Sequence, residues 1–271
     1  MQNLEKIDVI MSVYEGSEPK EVYAALNSII NQSVKPSNFF VCVDGPICLN
    51  IRNVLDEFSN KKLITLVISE ENVGRGEARN IAAREGTSEI IALMDADDIS
   101  RHNRLELQLK YMKKNNLDIC GAYIEEFREV VGDIGKIRKT PVLHNDIANL
   151  IFLRNPINHV TMLVNRRLFE RIGGYKKLNY VEDWDFMLRA VSDGANCGNL
   201  SLTLVDVRCN LDKRIRTSYF LEEVFILVNA RRIGLLSISH LIPSLIIRFF
   251  KLILPKNILK IIYKYLRVSK R

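Results

Sequence analysis

None of the five cysteines (Cys42, Cys48, Cys120, Cys197, Cys209) stands in a C-x-x-C pair, and their number is odd. That spacing supports neither a zinc site nor a dithiol centre; most of the five lie in apolar runs where a buried, inert thiol is expected. A reducing compartment is implied. There is no G-x-x-x-x-G-K-[ST] loop, and GRGEAR (74–79) holds only the first two glycines of a dinucleotide fingerprint before closing on Arg79. P-loop and nicotinamide chemistry are therefore unsupported. Pro243, Arg248, Lys251 and Pro255 interrupt the most apolar stretch, which argues against a membrane-spanning helix. The opening MQNLEKIDVIMSVYEG has no basic flank before its apolar run, so a signal peptide is not expected and the chain is placed on the cytoplasmic side. No internal repeat or low-complexity linker is present.

Acidic residues are missing from the C-terminal end. No Asp or Glu follows Glu223, whereas Arg248, Lys251, Lys256, Lys260, Lys264, Arg267, Lys270 and Arg271 supply eight positive charges. Against a formal net charge of +7 for 271 residues, that leaves about −1 for everything before them. The basicity belongs to the tail, and nucleic acid is not the expected partner. Lys256, Lys260, Lys264, Arg267 and Arg271 line one side of a helix, while Ile258, Leu259, Ile261, Ile262, Tyr265 and Leu266 cover much of the rest. Such a helix suits the headgroup region of an anionic membrane, at roughly 1 kcal/mol per basic residue. Packing on the domain or on another subunit is the alternative.

What is present in quantity is strand and helix in alternation. IDVIMSVY (7–14) is a strand, Ser17 an expected N-cap, and Val22, Leu26, Ile29 and Ile30 recur at helical spacing. FFVCV (39–43), LITLVI (63–68), EIIALM (89–94) and LDICGAYI (117–124) read as further strands. Helices are expected near 50–58, over 76–85, and around Leu105, Leu109 and Met112. After residue 125 come a hairpin turn (130–136), a helix in HNDIANLIFLR (144–154) and a strand in HVTMLVN (159–165). Short apolar strands joined by helices predict an α/β, doubly wound, mainly parallel sheet, which binds ligands at the carboxyl ends of its strands. Tyr14, Glu15, Asp44, Asn72 and Asp95 to Asp98 gather there.

The densest charge follows Ile90–Met94, where Asp95, Asp97 and Asp98 fall within four positions. Two like charges about 5 Å apart repel by roughly 3 kcal/mol at an effective dielectric near 20, so something positive is expected beside them. Asp95 and Asp97 share a face of an extended segment, and hard carboxylate oxygens suit Mg2+ or Mn2+ shared with a substrate diphosphate. An EF-hand loop fails because Ile99 and Ser100 stand where a ligand and a glycine are needed. An aspartyl-nucleophile phosphohydrolase using Asp95, and a plain loop with Ser100 or Asp98 capping the next helix, stay open.

Five motifs in order give a resemblance over about residues 7–217: VIMSVYEGSE, VCVDGP, ENVGRGEARNIA, MDADD and VEDWDFMLRA. The chain resembles the family 2 glycosyltransferases of GT-A fold, in particular the bacterial enzymes that assemble O-antigen, capsule or exopolysaccharide repeats. The resemblance implies that Tyr14 and Glu15 border the base and ribose, although the family more often has Asn at the position of Glu15. Asp44 would bond the base, and Asn72 would belong to the nucleotide-sugar site. Arg79 would face the diphosphate or order the D-x-D loop, Asp95 would hold ribose or metal, and Asp97 would be the direct ligand of Mn2+ or Mg2+. Asp183 is the implied catalytic base of an inverting transfer. Glu182, Trp184 and His159 would lie toward the acceptor or diphosphates, and Lys213, Arg214 and Arg216 would form the mobile loop that meets them.

The implied reaction moves a hexose from a nucleotide sugar, UDP-glucose or UDP-galactose, to an undecaprenyl-diphosphate-linked saccharide such as a GlcNAc-diphospholipid. The tail would bring the enzyme to the inner face of the cytoplasmic membrane. Expected divisions are a catalytic domain over 1–217, with a nucleotide-sugar half (1–125) and an acceptor half (126–217), and a helical basic tail over 218–271. A phosphohydrolase or a non-catalytic membrane-associated assembly subunit remains the alternative.

Overall fold

The computed structural model describes residues 6–209, 217–234, 236–254, 258 and 268–269. Strand β1 (Ile7–Val13) lies at the middle of the sheet, parallel to β2 (Asn38–Asp44) on one side and to β4 (Ile90–Asp95) on the other. β3 (Thr65–Ser69) extends the parallel part beyond β2. Beyond β4 the sheet turns antiparallel through β8 (Leu163–Asn165) to β6 (Ile119–Phe127), then β7 (Lys136–Arg138) and β10 (Val268–Ser269). β9 (Cys197–Arg208) runs parallel to β6 and pairs with the two-residue β5 (Ile99–Ser100).

The period of two along each strand sorts its side chains between two cores. From β1, Val9, Met11 and Val13 face a cluster built with α1 (Pro19–Ile30), α2 (Leu49–Asn60) and α4 (Arg104–Lys114). Ile10 faces the other cluster, shared with α3 (Arg75–Arg84), α6 (Arg166–Arg171) and α7 (Glu182–Ser192). On β4, Ile91 and Leu93 face the α3 and α7 side. Asp95 continues that alternation and so emerges beneath α3 and α7 rather than beneath α1. Helices α8 (Thr217–Arg232) and α9 (Ile238–Ile253) extend this second core, α8 through Ile226, Leu227 and Ala230 and α9 through Leu241 and Leu245.

Several local expectations are corrected. α1 is capped by Glu18 with Pro19 opening the helix, while Ser17 closes a turn by accepting from the Tyr14 N–H through its hydroxyl at 3.2 Å. Proline at the first turn loses no hydrogen bond, because that N–H has no partner in the helix. α4 is capped by Asn103, not Ser100 or Asp98, because residues 99–100 are taken up by β5. The segment 159–165 divides into a 3-10 turn over His159–Thr161 and β8; the helix after Leu143 ends at Leu150 (α5, His144–Leu150). The expected helix over 256–271 falls mostly outside the described residues, but Val268 and Ser269 form β10, covering the edge of β7.

Candidate active site

The carboxyl ends of β1, β2 and β4 come together at one edge of the sheet, as the parallel registers require. Asp44, at the end of β2, is buried, and its carboxylate accepts from the N–H groups of Val73 (2.6 Å) and Gly74 (3.2 Å). The side chain of Asn72 donates to the Asp44 carbonyl at 3.3 Å. Asp44 thereby anchors the loop that opens α3, and Gly45 permits it: at φ +80° a Cβ there would lie 2.8 Å from the Asn72 nitrogen. Tyr14 and Glu15 stand exposed after β1 at the same edge. Gly16 lets the Tyr14 ring fold back, since a Cβ would meet that ring at 2.5 Å.

Arg79 supplies the positive charge that the acidic cluster calls for. It is buried on α3, donating to Asp95 at 2.7 Å and to Glu182 at 3.3 Å. Glu182 is reached as well by the half-exposed Arg75, at 3.3 Å. Burial works against the charge on Asp95, but the Arg79 guanidinium outweighs it and holds this carboxyl below the ordinary range. Three segments distant in sequence, the N-x-G block, D-x-D and E-D-W-D, are thus tied through one side chain.

A second arginine lies beneath them. Arg104 on α4 is fully buried and donates to the Leu93 carbonyl (2.8 Å) and to Gln108 (3.0 Å), with no carboxylate in ion-pair contact among the described residues. Burial depresses it to about 10, while the charges of Asp95 and Asp98 act to keep it protonated. Asp98 is also buried and accepts from the Arg208 N–H at 2.8 Å, which pins the loop to β9. Burial and the neighbouring carboxylates push Asp98 up. Asp97 alone of the three is exposed, and no other residue donates to its carboxylate among the described residues. Partial desolvation and the charge of Asp95 raise it to about 6.

A hard divalent cation fits this arrangement. Asp97 offers an exposed carboxylate whose ionised form is opposed by Asp95 more than Arg208 favours it, an imbalance that a cation would offset. No cluster of three or more His, Cys, Asp or Glu among the described residues could hold an ion. Mg2+ is commonly bound by one or two carboxylates together with waters and substrate phosphates, so a single open carboxylate is compatible with such an ion.

Across the site, Asp183 sits in the first turn of α7. Its carboxylate accepts from the Asn155 side chain at 2.9 Å and from the Trp184 N–H at 2.8 Å. His159 bonds the Tyr175 hydroxyl through Nε2 at 2.8 Å, and Tyr175 also lies under Arg79, 5.8 Å from ring centre to guanidinium carbon. Burial lowers His159 to about 4, Arg79 adding to the effect and Asp95 and Asp183 opposing it. Asn80 clamps Tyr175 at both backbone groups, accepting at 2.8 Å and donating at 2.9 Å.

Trp184, expected toward the acceptor either as a ring that stacks on sugar or as a buried anchor, takes the second place. It is buried, donates to the Ile151 carbonyl at 2.6 Å, and carries Arg248 on its ring at 4.4 Å. Its indole anchors α7 to the core. Lys213, Arg214 and Arg216 lie outside the described residues. Tyr175, Asn80, Asn155, Arg75 and Arg104 were missed by motif reading; Arg75 and Asn80 stood inside the quoted N-x-G block, whereas Arg104 and Asn155 are marked by no spacing rule.

The sequence model of Glycosyl transferase family 2 matches residues 8–173. The chain is 30% identical over 263 residues to UDP-Gal:alpha-D-GlcNAc-diphosphoundecaprenol beta-1,3-galactosyltransferase of Escherichia coli, covering 96% of this chain and 95% of that protein. Its fold is similar to that of S. aureus TarS 1-349 in complex with UDP-GlcNAc, with TM-score 0.71 and 17% identity over 90% of this chain and 72% of that one. It is also similar to the mannosyltransferase PcManGT from Pyrobaculum calidifontis in complex with GDP-Man and Mn2+, with TM-score 0.63 and 16% identity over 92% of this chain and 70% of that one. The mixed sheet with helices on both faces is the GT-A fold.

Proposed function

Because this chain belongs to glycosyl transferase family 2, we propose that it moves a hexose from a nucleotide sugar to a lipid-linked saccharide, inverting the anomeric carbon. The donor is UDP-glucose or UDP-galactose, and the acceptor is a GlcNAc-diphospholipid of the undecaprenyl type, in O-antigen or other surface polysaccharide synthesis. Support comes from the Escherichia coli relative, whose name specifies UDP-Gal and a GlcNAc-diphosphoundecaprenol. The observation that carries the reading is Arg79, buried between Asp95 and Glu182, which leaves Asp97 the open carboxylate of the cluster.

In this reading Tyr14, Glu15, Asn72 and the Asp44-anchored loop border the nucleoside, and Arg79 holds Asp95 in place beside the diphosphate. Asp183 takes the proton of the acceptor hydroxyl as the new C–O bond forms on one face of the anomeric carbon. The bond to the nucleotide diphosphate breaks on the other face, and its electron pair leaves with the diphosphate. Asn155 and the Trp184 N–H fix the Asp183 carboxylate for that role, and a positioned base contributes typically 10²–10⁴-fold. Asp97 would hold Mn2+ or Mg2+, whose chemistry there would be to offset the negative charge of the leaving diphosphate. His159 and Glu182 would lie toward the acceptor or diphosphates, and Lys213, Arg214 and Arg216, outside the described residues, would supply further positive charge. The basic tail draws the enzyme to the anionic inner face of the cytoplasmic membrane, where the acceptor is embedded.

The test is a panel of nucleotide sugars offered to the purified chain with a GlcNAc-diphospholipid, with and without chelator. Metal-dependent transfer from a UDP-hexose giving the opposite anomer is expected. Release of inorganic phosphate from phosphorylated substrates, or undiminished transfer after chelation, would overturn the reading.

A further inference from the structure

Helix α9 is turned the wrong way round for a helix bathed in water. Two of its polar residues point inward: the buried Ser244 donates to the Phe152 carbonyl at 2.8 Å, and the buried Arg248 donates to the carbonyls of Ser244 (2.8 Å) and Leu153 (3.1 Å). Past the first turn, where Ser239 and His240 are exposed, its described outward residues are apolar. Ile238, Ile242, Ile246, Phe249, Phe250 and Ile253 are each between 49% and 56% exposed. At 3.6 residues per turn, all of these but Phe250 fall on a single stripe, with Phe250 beside it. Stripes of this kind on folded domains mark contact with an apolar phase or partner.

We propose that α9 lies in the plane of an anionic lipid surface, with this Ile and Phe stripe sunk into the boundary between headgroups and acyl chains. The inference rests on the membrane part of the proposed function and assigns it an inserting element. Charge complementarity selects lipid over a protein partner. Beyond α9 the chain carries six basic residues (Lys256, Lys260, Lys264, Arg267, Lys270 and Arg271) and no acid, which is the charge that anionic headgroups attract. Length selects lying over crossing. Sixteen residues span about 24 Å, against about 30 Å of hydrocarbon, and no helix among the described residues is long and apolar enough to cross a membrane. Arg248, facing the protein and stacked on Trp184, stays out of the lipid. Since Trp184 follows Asp183 in α7, the inserted helix is packed against the element that carries the proposed base.

The two modes of attachment differ in their response to salt. Attraction by the tail is screened, whereas burial of apolar side chains is not. The experiment floats the full chain with phosphatidylcholine vesicles, with and without phosphatidylglycerol, at low and high salt. It compares wild type with Ile246→Glu combined with Phe249→Glu. Wild type is expected to stay bound to phosphatidylglycerol vesicles at high salt, and the double variant to lose that fraction by about tenfold or more. Donor hydrolysis in solution and Tm are expected to be unchanged, because both side chains are exposed. Release of wild type and variant alike by salt would show that the tail alone holds the protein, overturning the role of α9 and leaving the tail reading intact. Unchanged flotation with a dimer converted to monomer would assign the stripe to a second copy, and unchanged flotation with a lowered Tm would assign it to contacts within the chain; either overturns the proposal. If wild type binds neither vesicle, both membrane readings fail. Transfer to a detergent-solubilised acceptor would still report separately on the glycosyltransferase reading.

Discussion

The Arg79 guanidinium donates to Asp95 at 2.7 Å through one nitrogen and to Glu182 at 3.3 Å through another. With Arg79 and Glu182 buried, the pair cannot be split without leaving a charge uncompensated. Arg79→Met is expected to cost about 3–5 kcal/mol of stability, read as a lower denaturant midpoint. Arg79→Met combined with Glu182→Gln should recover much of that loss in the same titration without restoring sugar transfer, because Asp95 stays unheld.

Asp97 is expected to govern metal dependence. Asp97→Asn should raise the Mn2+ concentration needed for half-maximal transfer by tenfold or more, roughly the worth of one hydrogen-bonded charge. Its thermal stability at neutral pH should not fall. The folded-state value of about 6 exceeds the ordinary 3.8, so ionising Asp97 opposes folding as pH rises through that window. Because the carboxylate is exposed, solvent screening keeps the gain from removing it to at most about 1 kcal/mol. A lowered Tm for this variant would refute the account.

Asp183→Asn should separate binding from chemistry. The amide still accepts from Asn155 but no longer takes a proton, so kcat should drop by about 10²–10⁴-fold. Calorimetry with UDP and Mn2+ should give a Kd within about threefold of wild type. A variant that keeps full transfer activity would remove Asp183 from the mechanism.

His159 makes stability depend on acid. Its value near 4 lies below the ordinary 6.5, so between these pH values the unfolded chain binds more protons than the folded one. Stability contributed here is complete above about pH 6.5 and is lost as pH falls toward 4, by up to about 3 kcal/mol. His159→Gln should flatten the Tm profile over that range. A profile as steep as wild type would assign the loss to other groups.

At the opposite end of β1, Asp8 accepts from Arg166 at 2.9 Å and from the Ser88 hydroxyl at 2.6 Å, all buried. Arg166→Met should destabilise by about 3–5 kcal/mol while leaving the Kd for UDP and Mn2+ unchanged below the melting range. A change in affinity would show that the two ends of the strand are coupled.

The α/β class, the alternation of parallel strands with helices and the acidic cluster at a strand end were legible along the chain alone. Apolar runs with a period of two or 3.6 and a carboxylate triplet are local signals, readable without neighbours. Local signals did not place α1's cap, the short β5 or the 3-10 turn at His159, where pairing with distant β9 or the sheet overrides propensity. Packing across the molecule settles that Arg79 joins Asp95 to Glu182, that Asp44 ties down the loop before α3, and that Trp184 belongs to the core. It also decides that α9 presents Ile and Phe outward while Arg248 turns in. A burial pattern depends on which elements cover which faces, and the pairing of charges depends on distances between segments some hundred residues apart in the chain; neither is written in the spacing of residues along one element.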